Sequence, residues 1–360
     1  MNIGVFLPNW VGDVVMATPM LRALRQHFAD ARLVGIMRPY VADVLAGTSW
    51  LDDQIICDPR ATAGGHRGWP LVRRLRQERL DLALLLPNSW RTALLARASG
   101  ARERIGYARG GRGWLLSRKL YPFKQAGRFA PVSAVDYFLE LAYAAGCPTA
   151  SRQVELATLP ADEQAANAVW HKLQLPSGSS ANGMNSVLRQ VVVLNSGGAF
   201  GSAKLWPTPY FASLARRLAE TDGHHVLVIC GPNERELARE IVHTADHRNV
   251  QSLADEALSI GLSKACVRRA ALMVTTDSGP RHFAAAFDVP TITLFGPTHI
   301  GLSENYHPRA VHLQRELDCV PCQQRTCPLR HHRCMRDLSV DEVYRAVRRH
   351  LQCIELEQAA

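Results

Sequence analysis

The sequence contains no run of about 18 uninterrupted apolar residues, the length that a helix needs to cross a membrane. Its first residues hold no basic stretch ahead of a long apolar segment, so we expect neither a signal peptide nor a membrane-spanning helix. It also lacks the Gly-Lys-Ser/Thr spacing of a P-loop and the Cys/His spacing of a zinc finger. These absences predict a cytoplasmic protein.

The composition is that of an ordinary globular chain of 360 residues, 47% hydrophobic and 21% charged. This length accommodates two α/β domains, each with its own core. The net charge of +10 favours a negatively charged partner, for which nucleic acid, an anionic membrane face and a phosphorylated substrate all qualify. The basic residues look scattered, with no patch that interleaves aromatic residues, and we do not predict a nucleic-acid partner.

Short runs rich in Val, Ile and Leu alternate with helical periodicity in both halves of the chain, which is typical of parallel sheets covered on both faces. In the first half we predict strands over residues 3–7, 32–37, 54–57 and 81–86, and helices over 13–28 and 133–145. In the second half we predict strands over 190–194, 225–230, 271–275 and 291–295, and helices over 208–221, 233–243, 280–287 and 341–351. The fold class is therefore α/β, with two doubly wound Rossmann-like lobes and a ligand-binding cleft between them.

Residues 175–186 are rich in Ser, Gly, Asn and Pro and have no periodicity, which is typical of a linker. We assign residues 1–174 to an N-terminal lobe and 175–188 to the linker. Residues 189–338 form the C-terminal lobe, and 339–360 form a C-terminal helix.

The first candidate site is the loop of residues 8–13, which leaves the first strand and opens the first helix. Gly12 permits close backbone approach, and the N–H groups at a helix start favour an anion nearby. Asp13 would lie at the edge of the cleft, where a carboxylate can act as a general base. The alternative is that Asp13 only caps the helix, as Asp often does.

The second candidate is the glycine-rich stretch of residues 195–207, after the first strand of the second lobe. Its glycines and serines expose backbone donors, and Lys204 adds a cation, a combination suited to a phosphate group. A surface loop without a ligand is the alternative.

The third candidate is the turn of residues 275–282, between a buried strand and a helix. Ser278 and Gly279 come just before Pro280, a favoured residue in the first turn of a helix. Asp277 is placed to bind sugar hydroxyls and His282 to reach a phosphate, although a lone His is more often structural.

The fourth candidate is a cluster of cysteines with two, four and six residues between them: Cys319, Cys322, Cys327 and Cys334. Thiolates at this density suit a structural zinc or another metal, with His331 and His332 as substitute ligands. Reduced thiols, as expected in the cytoplasm, are the alternative. No catalytic role is predicted, because nothing in the sequence connects the cluster to the cleft.

The first three candidates occur in an order that resembles the lipopolysaccharide heptosyltransferase family, and most closely its heptosyltransferase II branch. The stretches that carry the resemblance are Trp-Val-Gly-Asp ending at Asp13, Lys-Leu-Trp-Pro starting at Lys204, and Asp-Ser-Gly-Pro-Arg-His starting at Asp277. The resemblance implies a GT-B fold. It also implies an inverting glycosyltransferase that moves heptose from ADP-heptose to the inner core of lipopolysaccharide, without a required cofactor.

The resemblance also implies a role for each candidate. Asp13 is then the general base that deprotonates the acceptor hydroxyl, and Lys204 is the cation that meets the donor phosphates. The other implied roles are heptose binding by Asp277, a turn at the diphosphate formed by Ser278, Gly279 and His282, and adenosine binding near Glu234. The implied partners are ADP-heptose, the lipopolysaccharide acceptor and, at the inner face of the inner membrane, a peripheral contact with anionic lipid.

The stretch Asn195-Ser196-Gly197-Gly198 departs from the Pro-Gly-Ala type of start expected in the family. Two rival functions therefore stay open. One is another GT-B enzyme, either a different nucleotide-sugar transferase or an epimerase. The other is a non-catalytic nucleotide- or lipid-binding module.

Overall fold

The computed structural model describes residues 1–60, 65–125, 127–176, 191–198 and 200–359. The chain divides into two compact units. The first comprises Met1–Ala157 and Gly301–Tyr306, and the second comprises Thr158–Ile300 and His307–Ala360. No helix in the described ranges is both long and apolar enough to span a bilayer.

The first unit is built on strands that alternate with helices. The strands are β1 Asn2–Phe6, β2 Arg32–Met37, β3 Asp53–Ile56, β4 Leu82–Leu85, β5 Glu103–Tyr107, β6 Arg118–Leu120, β7 Lys124–Gln125 and β8 Arg128–Phe129. The helices are α1 Val11–Met16, α2 Thr18–His27, α3 Pro39–Leu45, α4 Gly68–Gln77, α5 Trp90–Ala98 and α6 Ala134–Ala144, with a short 3-10 helix at Arg112–Leu115.

The second unit repeats this alternation. Its helices are α7 Pro160–Lys172, α8 Thr208–Thr221, α9 Arg235–Ala245, α10 Ile260–Arg268, α11 Arg281–Ala286, α12 Arg333–Arg336 and α13 Val340–Ala359. Its strands are β9 Val191–Asn195, β10 His225–Ile229, β11 Val250–Ser252, β12 Leu272–Thr276, β13 Thr291–Phe295 and β14 Ala310–Gln314. Short 3-10 helices lie at Ser202–Lys204 and Pro232–Glu234.

Both large sheets are parallel and share one strand order. The first runs β3-β2-β1-β4-β5-β6 and the second β11-β10-β9-β12-β13-β14. The central strands are buried along their length. This agrees with the prediction from their apolar runs, which are typical of parallel sheets with helices on both faces. In each sheet the strand order reverses between the first strand and the fourth, the point at which such sheets bind ligands.

Helix and strand positions predicted from periodicity are confirmed, three of them to the residue: β2, α8 and β13. The predicted helix over residues 13–28 is wrong in one respect, because it is two helices separated at Ala17. Pro19, in the first turn of α2, has no N–H to continue the hydrogen-bond ladder of α1. The final helix extends beyond the predicted residues 341–351.

The N-terminal stretch of the first unit ends at Ala157, whereas we expected the N-terminal lobe to reach residue 174. The difference is helix α7, which packs against α10 and therefore belongs to the second unit. Glu163 of α7 also forms an ion pair with Arg269, just after α10, at 2.6 Å. The predicted linker falls on residues 175–188, and residues 177–188 of it lie outside the described ranges.

Candidate active site

The loops that follow four neighbouring strands of the second sheet hold the residues predicted to bind the donor. These strands lie in the order β10, β9, β12 and β13 and run parallel, so their carboxyl ends share one edge. The loops comprise residues 231–234, 196–198 with 200–204, 277–280 and 296–298. The strand order reverses between β9 and β12, so the fold itself directs a ligand to this edge.

Lys204 and Asp277, 73 residues apart in the chain, form a buried ion pair at this edge. The Lys204 Nζ atom lies 2.6 Å from Oδ2 of Asp277 and donates to its backbone oxygen at 2.9 Å. Oδ2 also accepts from Thr298 Oγ1 at 2.7 Å, and Oδ1 accepts from Arg281 Nη1 at 3.1 Å. The protein itself therefore engages both carboxylate oxygens of Asp277.

These partners keep the Asp277 carboxylate ionised near neutral pH. Burial by itself raises the pKa of Asp277. The charges of Lys204 and Arg281, with hydrogen bonds from Lys204 and Thr298, outweigh burial and lower this pKa well below its usual range. The fixed negative charge in turn holds the Lys204 ammonium group in one place. The heptose-binding role of Asp277 stays a prediction.

Asn195, at the end of β9, positions Ser278, although sequence reasoning did not select it. Its Nδ2 donates to Ser278 Oγ at 2.7 Å and to Thr275 Oγ1 at 2.9 Å. The only signal in the sequence was the position of Asn195 directly after the apolar run 191–194, and its register with Thr275 on the adjacent strand is visible only in the structure. This amide comes from the very stretch in which the chain departs from the expected Pro-Gly-Ala type of start.

Glu234 borders the same glycine-rich loop as Lys204. Its Oε2 accepts the Gly231 N–H at 2.8 Å, and a Cβ added to Gly197 would lie 2.1 Å from its Oε1. The Gly197 backbone oxygen accepts from Thr276 Oγ1 at 2.8 Å, which ties this loop to β12. The structure thus brings Glu234 to the predicted donor loops, while its contact with adenosine stays a prediction.

Gly279 and His282 occupy the predicted turn before and within α11. The Gly279 backbone oxygen accepts the N–H of His282 at 3.1 Å. The His282 side chain is buried at 3% exposure, unlike the half-buried Ser278 and Gly279. A phosphate contact of His282 stays a prediction, since a ligand reaches a buried imidazole less readily than it reaches Ser278 and Gly279.

Asp13 belongs to the first unit. It lies half-buried in the first turn of α1, whose N-cap residue is Trp10. This place follows the carboxyl end of β1, the first strand of the sheet. It is compatible with both interpretations of Asp13, general base and helix-terminal carboxylate.

The first unit also contains a cavity of about 240 Å³ at the carboxyl ends of β1 and β2. Two cationic side chains, Arg38 and Arg91, line it. Arg38 donates to Asn9 Oδ1 and to Asp58 Oδ1, each at 3.2 Å, so its position is fixed. A cavity with two guanidinium groups suits an anionic ligand group.

The cysteine-rich segment, residues 319–334, packs against the Lys204 loop. The Ala203 N–H donates to the Arg325 backbone oxygen at 3.0 Å, and His332 Nε2 donates to the Ala203 backbone oxygen at 2.9 Å. The Arg325 guanidinium lies 5.6 Å from the centre of the Phe200 ring, which Lys204 Nζ also approaches at 4.7 Å. The structure therefore supplies the connection to the candidate site that the sequence did not reveal.

The four clustered cysteines lie in one neighbourhood. Burial raises the pKa of Cys334 to about 11, and charges of Cys322, Cys327 and Cys319 contribute in the same direction. The pKa of Cys327 is lowered, chiefly by a hydrogen bond from the His332 backbone. In the described part of the chain, however, no group of three or more His, Cys, Asp or Glu side chains is arranged to hold a metal ion. The interpretation as a zinc or other metal site is therefore not supported.

We expect Gly201→Ala to lower the free energy of unfolding by about 1–3 kcal/mol. Gly201 has a φ of 153°, and an added Cβ would lie 2.4 Å from the Arg325 backbone oxygen, which cannot rotate away. Chemical denaturation measures the loss. The matched control is Gly198→Ala in the same loop, where the nearest atoms to a Cβ lie at 3.9 and 4.0 Å. Equal losses in the two variants would contradict this account.

Comparison with solved structures identifies the fold. The structure of Escherichia coli ADP-heptose lipopolysaccharide heptosyltransferase II matches with a TM-score of 0.78 and 22% identity, covering 99% of this chain and 100% of that chain. Escherichia coli heptosyltransferase WaaC with ADP-2-deoxy-2-fluoro heptose matches with a TM-score of 0.69 and 17% identity, covering 97% and 99%. The predicted two-lobed GT-B fold is thus confirmed.

Sequence comparison then gives the family. The model of glycosyltransferase family 9 (heptosyltransferase) matches residues 69–332, and the chain belongs to this family. Lipooligosaccharide heptosyltransferase 2 of Campylobacter jejuni is 27% identical over 355 residues, 95% of this chain and 96% of that relative. The resemblance inferred from the three motifs is confirmed, and so is the prediction of a glycosyltransferase.

Proposed function

We propose that the protein transfers heptose from ADP-heptose to the inner core of lipopolysaccharide and inverts the anomeric centre. The buried Lys204–Asp277 pair carries this proposal, because it fixes a cation among the loops at the ligand-binding edge of the second sheet. The family membership and the names of the similar proteins, which refer to heptose transfer and ADP-heptose, support the same donor and acceptor.

In this proposal Lys204 stabilises the leaving diphosphate. An ammonium group has three N–H donors, and two of them are engaged by Asp277. The third is then the one that reaches an oxygen of the donor diphosphate. Negative charge grows on that diphosphate as the bond to the sugar breaks, and a fixed cation stabilises it without reorganisation.

Asp13 acts on the acceptor in the same step. Its carboxylate takes the proton of the acceptor hydroxyl, whose oxygen forms the new bond to the anomeric carbon. The bond from that carbon to the diphosphate breaks, and ADP leaves with its electron pair. A single displacement of this kind inverts the anomeric centre. It involves no covalent enzyme intermediate and requires only the charges of this chain.

The arginine-lined cavity of the first unit is the proposed site for an anionic part of the acceptor. Inner-core sugars carry phosphate or carboxylate groups, and Arg38 and Arg91 present the planar donors that such groups pair with. The protein would work in the cytoplasm, with peripheral contact to the anionic inner face of the inner membrane, where a lipid-linked acceptor is accessible.

Donor choice separates this proposal from its rivals. Calorimetric titration with ADP-heptose, UDP-hexoses and ADP is expected to show binding of the ADP compounds, reduced in Lys204→Gln. Preference for a UDP-sugar would favour a different transferase, and release of free sugar without an acceptor would favour an epimerase. Binding without turnover on any core acceptor would favour a non-catalytic module.

A further inference from the structure

The exposed aromatic side chains of the described residues all belong to the first unit. They are Trp10, Tyr40, Trp69, Trp90, Trp114, Tyr121, Phe123, Phe129 and Tyr306. In the second unit the described aromatic side chains are buried or half-buried. Contiguous patches of exposed apolar side chains mark sites that bind a protein, a membrane or a ligand. Here the exposed rings lie on one unit.

Five of these side chains come from a single region, the segment 109–129 together with Trp90. Within the segment, Trp114 is 63% exposed, Tyr121 73%, Phe123 67% and Phe129 53%. The segment contains no Asp or Glu. Its basic residues are Arg109, Arg112, Lys119, Lys124, Arg118 and Arg128. This corrects our expectation that the basic residues are scattered without interleaved aromatic residues.

Contacts join the exposed members around Trp90 and Phe129, and Tyr121 and Phe123 lie in the same stretch of chain. The rings of Trp90 and Trp114 lie 6.0 Å apart, and Trp90 Nε1 donates to the Gly110 backbone oxygen at 2.7 Å. The residue before Gly110 is Arg109, whose guanidinium lies 4.4 Å from the centre of the Phe129 ring; Lys124 Nζ lies 5.4 Å from the same ring centre. We call Trp90, Arg109, Trp114, Lys119, Tyr121, Phe123, Lys124 and Phe129 the aromatic–basic surface.

Arg112 joins this surface to the arginine-lined cavity. Its guanidinium is fully buried and donates to the backbone oxygens of Pro87 and Ser89, two residues that line the cavity. Trp90 follows Ser89 directly and lies on the surface, whereas the next residue, Arg91, lines the cavity. The loop of residues 87–91 therefore contributes to both the aromatic–basic surface and the proposed acceptor site.

We propose that the aromatic–basic surface docks the protein on an anionic phospholipid bilayer. Tryptophan and tyrosine rings favour the interface between headgroups and acyl chains, and lysine and arginine beside them attract anionic headgroups. Single-stranded nucleic acid and sugars also stack on aromatic rings beside cations. The bilayer is the occupant that we infer because the proposed acceptor, whose site shares residues 87–91 with this surface, is lipid-linked. The inference rests on the proposed function, in which the acceptor is lipid-linked.

Vesicle flotation tests the docking surface without donor or acceptor. We expect the wild-type protein to float with phosphatidylcholine vesicles that contain phosphatidylglycerol, and not with phosphatidylcholine alone. The charge variant Lys119→Glu/Lys124→Glu and the aromatic variant Trp114→Ser/Phe123→Ser should each bind the anionic vesicles at least about tenfold more weakly. The binding of wild type should fall as salt rises, because salt screens exposed charges.

Two substitutions on α4 are matched controls, since they alter the same residue types outside the surface. Trp69→Ser removes a ring that is 64% exposed and lies under Arg76, and Arg73→Glu reverses an exposed charge. Both controls should float like wild type. The proposal would be overturned if the wild-type protein did not float with anionic vesicles, or if the surface variants floated with them as well as the controls do.

Two further results would also overturn the docking proposal. One is binding through these residues to delipidated core oligosaccharide or to nucleic acid in place of vesicles. The other is a uniform loss of flotation in surface and control variants alike. Because the assay contains no ADP-heptose, either result leaves the proposed transferase activity standing, and that activity fails only in a measurement of turnover.

Discussion

Asp13→Asn is expected to bind ADP-heptose as wild type does while its kcat falls by about a hundredfold or more. A positioned general base contributes about 10²–10⁴-fold to a rate, and the amide that replaces it cannot accept the proton of the acceptor hydroxyl. Asp13 lies in the first turn of α1 and not at its N-cap, so the isosteric amide loses only the interaction of the charge with the helix dipole, about 0.3–1 kcal/mol. Steady-state measurement of ADP release at saturating acceptor gives kcat directly.

The exposed carboxylate Asp30, at the turn after α2, provides the matched control in the same unit. Asp30→Asn should retain the wild-type kcat. If Asp13 only stabilises α1, Asp13→Asn would instead change the unfolding free energy by less than about 1 kcal/mol and leave kcat unchanged. That result would remove Asp13 from the chemistry.

We expect Lys204→Met to reduce both kcat and the free energy of unfolding. Loss of a fixed charge that stabilises a developing anion typically costs about 10²–10³-fold in kcat. The substitution also leaves Asp277 buried with Arg281 as its remaining cationic partner. Removing one partner of a buried pair costs about 3–5 kcal/mol, and the lower end applies here because Arg281 remains.

Lys172→Met is the control for this variant. The Lys172–Glu256 pair has the same 2.6 Å separation, but its lysine is 59% exposed, so its loss should cost less than about 1 kcal/mol. Wild-type stability in Lys204→Met would show that the buried pair is not formed in solution. Wild-type kcat would remove Lys204 from the donor site.

The stability loss in Lys204→Met should depend on pH. The pKa of Asp277 is lowered in the folded protein, so the pair contributes stability above the ordinary carboxyl pKa of about 4. That contribution is lost as the pH falls through the folded-state pKa. The difference between wild type and variant should therefore narrow below about pH 4, as measured by denaturation across pH.

The fold could be predicted because its core strands are buried on both faces. Largely apolar runs such as 33–37 and 291–295 predict central strands of a sheet that helices cover on both faces. The boundary between the units could not be predicted in the same way. Helix α7 has few buried residues, and only its packing against α10 assigns it to the second unit.

The candidate site could be predicted as a set of loops, but not as a set of contacts. Strand ends and glycine-rich turns identified the stretches that contain Lys204 and Asp277. Their pairing joins residues 73 positions apart, and no local pattern encodes it. Thr298 was missed for the same reason, and Arg281 was given no role although it lies in the predicted turn, since each acts through Asp277.

The connection between the cysteine-rich segment and the Lys204 loop could not be predicted either. It is made by backbone groups of Ala203 and Arg325 and by the His332 side chain, and no spacing in the sequence relates these residues. The cysteine spacing instead suggested a metal, which the arrangement of the described side chains does not support.

The most direct test of the central claim is ADP release by wild-type protein from ADP-heptose, with and without deep-core lipopolysaccharide, followed by determination of the anomeric configuration of the product. We predict release only in the presence of acceptor and a product whose new glycosidic bond has the configuration opposite to that of the donor. Release that does not depend on acceptor, or a product with retained configuration, would contradict the proposed inverting heptosyltransferase.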